Sequence, residues 1–142
     1  LNDTTRREDM NRALVEGLNF GSFDMLKTLE KGVGKAADSI TAIGGGTRNA
    51  FWMQNKADIS GIPVVTLEIE EATALGAAML AGVGAGKYRD LAEAAGRVHR
   101  PGKTFEPDLS NVSLYSDLFG IYKEIYPSLK SLNTRIYERF RA

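Results

Sequence analysis

The chain contains no cysteine. That excludes disulfide scaffolds, thiolate metal sites and cysteine nucleophiles within it, and it suits a reducing, cytoplasmic setting. There is a single histidine, His99, so no histidine cluster can hold zinc. Neither sign of charge is in excess, because 18 Lys and Arg balance 18 Asp and Glu. The balance argues against a dedicated nucleic-acid surface, which shows as a basic excess, and equally against an acidic disordered tail. No apolar run approaches the ~20 residues that span a bilayer, and the first residues do not read as a signal peptide. The expectation is a cytoplasmic protein with neither nucleic acid nor membrane as a partner. What is present is the mix of an ordinary globular domain: 142 residues, 43% apolar and 25% charged.

Local patterns divide the chain into elements. Thr5-Arg6-Arg7-Glu8 fits a capping box. Met10, Leu14, Leu18, Met25 and Leu29 then recur at helical spacing and define an apolar face over roughly residues 6–31. Gly17 and Gly21 lie near that face and point to close approach by a neighbour. Ser39–Ile43 is a short strand candidate that runs into Gly44-Gly45-Gly46. A second helix follows over about residues 49–60, with Trp52, Met53, Ala57 and Ile59 as apolar members and Gly61-Ile62-Pro63 as its stop. Of Phe51 and Trp52, one is expected to pack in the core. Val64–Leu67 is the second strand candidate. The small-residue helix from Ala72 to Gly82 must pack very tightly against something, and Asp90 with Glu93 caps a short helix through Ala95. Arg100 to Asp108, with Pro101, Gly102 and Pro107, reads as an extended loop. The final helix, from about Val112, is expected to kink or split at Pro127.

Both strands are apolar and each leads into a helix, the pattern of a covered parallel sheet in an α/β fold. Two strands do not make a stable sheet. The chain also starts at Leu1, almost directly inside a helix. The expectation is a piece of a longer protein whose missing strands lie upstream.

The most informative stretch is Gly44-Gly45-Gly46-Thr47-Arg48-Asn49. A strand that ends in three glycines and opens a helix lets a ligand approach the backbone with no Cβ in the way, facing free N–H groups. A flexible strand-to-helix turn is the other reading, though three glycines are costly for that alone, and spacing leaves both open. It is not a dinucleotide fingerprint, since Asn49 stands where the third glycine is required. Gly82-Val83-Gly84-Ala85-Gly86-Lys87 is not a P-loop either, because Ala81 and Tyr88 occupy two required positions; it reads as a helix stop. Glu68, Glu70 and Glu71 read as a solvated edge rather than an acid/base or metal site. His99, between Arg97 and Arg100, reads as a surface residue.

Three blocks in order carry a resemblance: the glycine block, then Trp52-x-Gln54-x-x-Ala57-Asp58-x-x-Gly61-x-Pro63-Val64, then Glu71-Ala72-Thr73-Ala74-Leu75-Gly76-Ala77-Ala78-Met79-Leu80-Ala81-Gly82. Together with the Asn11–Gly17 helix they resemble the C-terminal half of FGGY carbohydrate kinases, which include xylulokinase and glycerol kinase. The resemblance covers roughly residues 5–96. It implies an α/β fold: a partial RNase H-like domain of the actin-like ATPase superfamily, helix-rich with a small parallel sheet remnant. Residues 1–100 would form the C-terminal nucleotide-binding domain, lacking its first strands, and residues 101–142 a C-terminal helical extension.

By the same resemblance the glycine block is the adenosine motif. Gly45 and Asn49 would contact ATP, Gly44 and Gly46 would shape the turn, and Thr47 belongs to the same set. The helix from Thr73 to Gly82 would be the interdomain hinge. The implied activity is transfer of the ATP γ-phosphoryl group to a sugar or polyol hydroxyl, with a xylulose-like pentulose favoured. The general-base Asp, the sugar pocket and most Mg2+ ligands belong to the family's N-terminal domain, so that domain is the implied partner and this chain alone is expected to be inactive. Asp58 would be structural, and a homodimer is one of the assemblies left open. A non-catalytic domain that kept the fold and another ATPase of the superfamily are the competing readings.

Overall fold

A computed structural model describes residues 2–69, 71–98 and 100–141. The readings made of Leu1, Glu70 and His99 lie outside the described residues. Among the described residues, five helices and three strands follow one another as α1 (Arg7–Val33), β1 (Ile40–Ala42), a four-residue 3-10 turn (Gly45–Arg48), α2 (Ala50–Ser60), β2 (Val64–Leu67), α3 (Ala72–Gly84), α4 (Leu91–Val98), β3 (Pro101–Phe105) and α5 (Leu109–Phe140).

The centre of the molecule is the β1–α2–β2 unit. α2 starts where the Asn49 side chain accepts the Trp52 N–H at 3.1 Å. It stops at Gly61, whose N–H reaches the Ala57 carbonyl at 2.8 Å. Its crossover brings β1 and β2 side by side in parallel, with Ile40 opposite Val64 and Ala42 opposite Thr66. Met53 and Ala57, one helical turn apart, pack on the sheet with fully buried Val64 and half-buried Ile40, Ala42, Trp52 and Phe105. On its other side, α2 contributes Ile59 to a cluster with Phe20 of α1 and Tyr115 and Phe119 of α5. Ring centroids there lie 4.7 Å apart for Phe23–Phe119 and 5.3 Å for Phe20–Tyr122. α2 is thus a buried spine between two apolar layers.

Several expectations change. Residues 101–105, expected as a loop, form β3, antiparallel to β2, with Val64 opposite Phe105 and Leu67 opposite Pro101. The sheet is therefore mixed. A register irregularity between Val65 and Leu67 is bridged by Thr66, whose hydroxyl accepts the Lys103 N–H at 2.9 Å and donates to the Lys103 carbonyl at 3.2 Å. Gly102 is required at this crossing, because a Cβ there would stand 2.8 Å from the Thr66 hydroxyl and 3.2 Å from Leu67 backbone.

α1 forms where expected, but its cap is different. The Asp9 carboxylate accepts the Arg6 N–H, while Thr5 bonds back to Asn2. Its packed face differs as well: Asn19 and Phe20 are buried against α2 and α5, whereas Met10, Leu14, Leu18, Met25 and Leu29 are all at least half exposed. Gly17 has no close neighbour, and Gly21 lies beside the Tyr122 hydroxyl. Among the described residues α3 packs closely only at its C-terminal end, where a Cβ on Gly82 would stand 2.7 Å from the Tyr88 ring; none of its residues is buried and Leu80 is 61% exposed. α5 is one helix through Pro127, so it does not split there. The carbonyl that Pro127 leaves without its helical partner belongs to Lys123, an exposed residue. No described helix is long and apolar enough to cross a membrane.

Candidate functional site

The five candidate residues Gly44, Gly45, Gly46, Thr47 and Asn49 fall on one continuous turn between the end of β1 and the start of α2. Gly44 makes the corner with φ 89° and ψ 179°, a conformation reserved almost entirely for glycine. A Cβ at Gly44 or Gly45 would meet nothing within 4 Å, so the turn presents bare backbone to open space. Gly46 faces inward instead, with the Trp52 ring 3.6 Å from where its Cβ would stand.

The turn is held by its own polar groups. The Thr47 N–H and hydroxyl both donate to the Gly44 carbonyl, at 3.1 and 2.7 Å. The Asn49 N–H donates to the Gly46 carbonyl at 3.1 Å. Asn49 caps α2 through Oδ1, and its amide nitrogen is the donor that this side chain can offer a ligand. The N–H groups of Thr47, Asn49 and Trp52 and the Gly44 carbonyl are thus paired, and the Cα faces of Gly44 and Gly45 are the part of the turn open to a ligand.

Thr47 stands between two hollows. One, of about 380 Å3, lies along β1 and is lined by Thr41, Ala42, Gly46, Trp52, Met53 and Lys56. The other, of about 420 Å3, lies toward β3 and is lined by Arg48, Ala50, Thr66, Gly102 and Lys103. Both are in the size range of small-molecule sites. Burial holds the Lys56 ammonium below the ordinary lysine range.

Other singled-out residues fall elsewhere. Of the aromatic pair, Trp52 is half-buried against the sheet while Phe51 is exposed. Glu68 and Glu71 are exposed. Among the described residues no three His, Cys, Asp or Glu side chains gather as a metal-holding group. Asp58 is buried and its carboxylate accepts from Gln54, the Asp108 N–H and Asn111, at 2.8, 2.9 and 2.9 Å. It joins α2 to the start of α5. Sequence reading missed Asn19, whose Oδ1 accepts the Trp52 indole N–H at 3.0 Å from the opposite helix. An asparagine inside an apolar helix was its one local signal.

This mixed sheet with a glycine corner between strand and helix has the actin-like ATPase fold of sugar kinases. A solved xylulose kinase from Lactobacillus acidophilus superposes with a TM-score of 0.81 at 30% identity, over 92% of this chain and 26% of that one. A Plasmodium falciparum glycerol kinase solved with ADP gives 0.73 at 25% identity, over 87% of this chain and 25% of that one. The xylulose kinase of Bacillus subtilis is 39% identical over 130 residues, which is 92% of this chain and 26% of the relative. Residues 1–85 match the family description "FGGY family of carbohydrate kinases, C-terminal domain". The chain belongs to the FGGY family of carbohydrate kinases, and it spans about a quarter of the length of these relatives.

Proposed function

We propose that this chain is the adenosine-binding and hinge portion of an ATP-dependent carbohydrate kinase. The intact enzyme would move the γ-phosphoryl group of ATP onto a sugar or polyol hydroxyl and release ADP. A pentulose such as xylulose is the favoured acceptor, in keeping with the xylulose kinases among the relatives. The hydroxyl proton would pass to a carboxylate of the N-terminal domain, since phosphoryl transfer rests on positioning and charge stabilisation by both lobes. When bound, Mg2+ would neutralise phosphate charge, with protein ligands that the family resemblance places mainly in that other domain.

The observation that carries the reading is the corner at Gly44 and Gly45. Bare backbone with room in front of it, followed by the Asn49 amide, suits the edge of a planar base and its sugar. In this reading Gly45 and Asn49 contact the nucleotide, while Gly44, Gly46 and Thr47 fix the path of the turn. The N-terminal domain supplies the partner for the exposed apolar face of α1 and for α3, and α3 acts as the hinge against it. Alone, the chain is expected to release no ADP in response to sugars.

Asn49→Asp in the intact kinase separates recognition from folding. Aspartate keeps the oxygen that caps α2 but loses the amide donor. The expected result is an unchanged melting temperature, a raised KM for ATP and an unchanged KM for the sugar. Unaltered ATP kinetics would refute the assignment.

A further inference from the structure

Trp52 is the single tryptophan of the chain, and its ring backs the glycine corner at Gly46. The polar groups behind it form a continuous relay through three helices. Trp52 Nε1–H donates to Asn19 Oδ1 at 3.0 Å. Asn19 Nδ2 donates to Asn55 Oδ1 at 2.8 Å and lies 3.3 Å from the Trp52 carbonyl. Asn55 Nδ2 donates to the Tyr115 hydroxyl at 2.9 Å, and that hydroxyl donates to Glu16 Oε1 at 2.7 Å. Arg12 closes the outer end with bonds to both Glu16 and Tyr115, at 2.7 and 3.1 Å.

The relay has one direction. An indole N–H can only donate and a carboxylate can only accept, so the two ends fix the orientation of both amides and of the phenol between them. Asn19, Asn55 and Tyr115 are all buried, so none of them can exchange its partner for water freely. Burial, followed by the Glu16 carboxylate, raises Tyr115 above the ordinary tyrosine range, and the phenol keeps the proton it donates.

We propose that Asn19 and Asn55 are positioning residues for the nucleotide turn. Through the relay that ends at Tyr115 and Glu16, they hold the Trp52 ring against Gly46 and so set the path of Gly44–Asn49. The proposal rests on the reading of that turn as an adenosine site. It makes the outer anchor on α5 and the cap region of α2 one mechanical unit, although Tyr115 contributes nothing to the turn directly.

Two variants test it, Asn19→Leu and the milder Tyr115→Phe, which keeps the ring packed edge-on against Phe20. In the 142-residue chain, acrylamide quenching and anisotropy of the lone tryptophan report its freedom, with far-UV circular dichroism as the control for folding. Both variants are expected to raise quenching and lower anisotropy. In the intact kinase the same substitutions are expected to raise the KM for ATP roughly threefold to tenfold, the scale of one lost hydrogen bond, with the KM for sugar unchanged. Unchanged tryptophan quenching in folded Tyr115→Phe would overturn the relay. Altered quenching with unchanged ATP kinetics would overturn its role in positioning the turn. If the intact wild-type protein shows no ATP-dependent step, the nucleotide reading falls, and with it the functional role, while quenching still decides whether the relay holds Trp52.

Discussion

Removing the Asp58 carboxylate is expected to destabilise the protein without touching any chemistry. The side chain is 4% exposed and accepts three hydrogen bonds, so its deletion can be followed donor by donor. Gln54 loses little, because its amide also reaches the Glu106 carbonyl at 2.7 Å. The Asp108 N–H and the Asn111 amide lose the acceptor that ties the start of α5 to α2. Each stranded donor costs about 1–3 kcal/mol, less where water can reach it, and relief of the buried charge offsets part of the loss. The net expectation for Asp58→Ala is about 2–3 kcal/mol. For a domain of this size that lowers Tm by roughly 6–12 °C. Asp58→Asn should lose less, because its oxygen can keep the Asp108 N–H while its new NH2 group meets Asn111, whose amide can turn to present its oxygen. Thermal melts followed by circular dichroism, with urea unfolding as a second probe, measure both variants. A loss below about 0.5 kcal/mol in both, the range of ordinary surface substitutions, would refute the structural role. So would an unchanged melt accompanied by lost phosphoryl transfer in the intact kinase, which would make Asp58 chemical.

Gly44→Ala places a Cβ in open space but on a backbone that L-residues avoid, so the expected cost is strain of about 1–3 kcal/mol rather than a clash. Its melting temperature should fall and its KM for ATP rise together; a melt matching wild type would show that the corner relaxes freely. Asp108 caps α5, accepting from the Ser110 hydroxyl at 2.7 Å and the Ser110 N–H at 2.9 Å, and these bonds hold its carboxyl below the ordinary 3.8. A depressed folded value means the charged cap stabilises fully above the ordinary value and loses that contribution as pH falls through the folded one. Asp108→Ala should therefore melt below wild type at neutral pH, with the gap closing in acid; a gap constant across the acid range would refute the linkage.

How much of this was legible in the sequence depends on how local each signal was. The β1–α2–β2 unit was readable because every determinant sits within a few residues of what it determines: Asn49 caps its own helix, Met53 and Ala57 share one face, and Gly61 ends the same helix. The glycine corner was readable for the same reason. β3 was not, since Pro101-Gly102-Lys103-Thr104-Phe105 is an exposed edge strand without apolar alternation. Its need for glycine appears only when Thr66 and Leu67 are brought against it. The Trp52 relay was hidden in the same way, because Glu16, Asn55 and Tyr115 come from three helices and none of them says what it will face. α1 is the instructive middle case. At 100° per residue its Met10–Leu29 stripe and its Asn19, Phe20 and Phe23 stripe lie on nearly opposite sides, so periodicity could find the helix but could not choose the packed face. The aromatic side packs inward because α2 and α5 offer rings and a buried amide to meet it. The aliphatic side has no such counterpart among the described residues. If the proposed N-terminal domain supplies it, both stripes are core stripes, and an apolar-to-charged change at Leu18 or Met25 would weaken the intact kinase far more than the isolated chain.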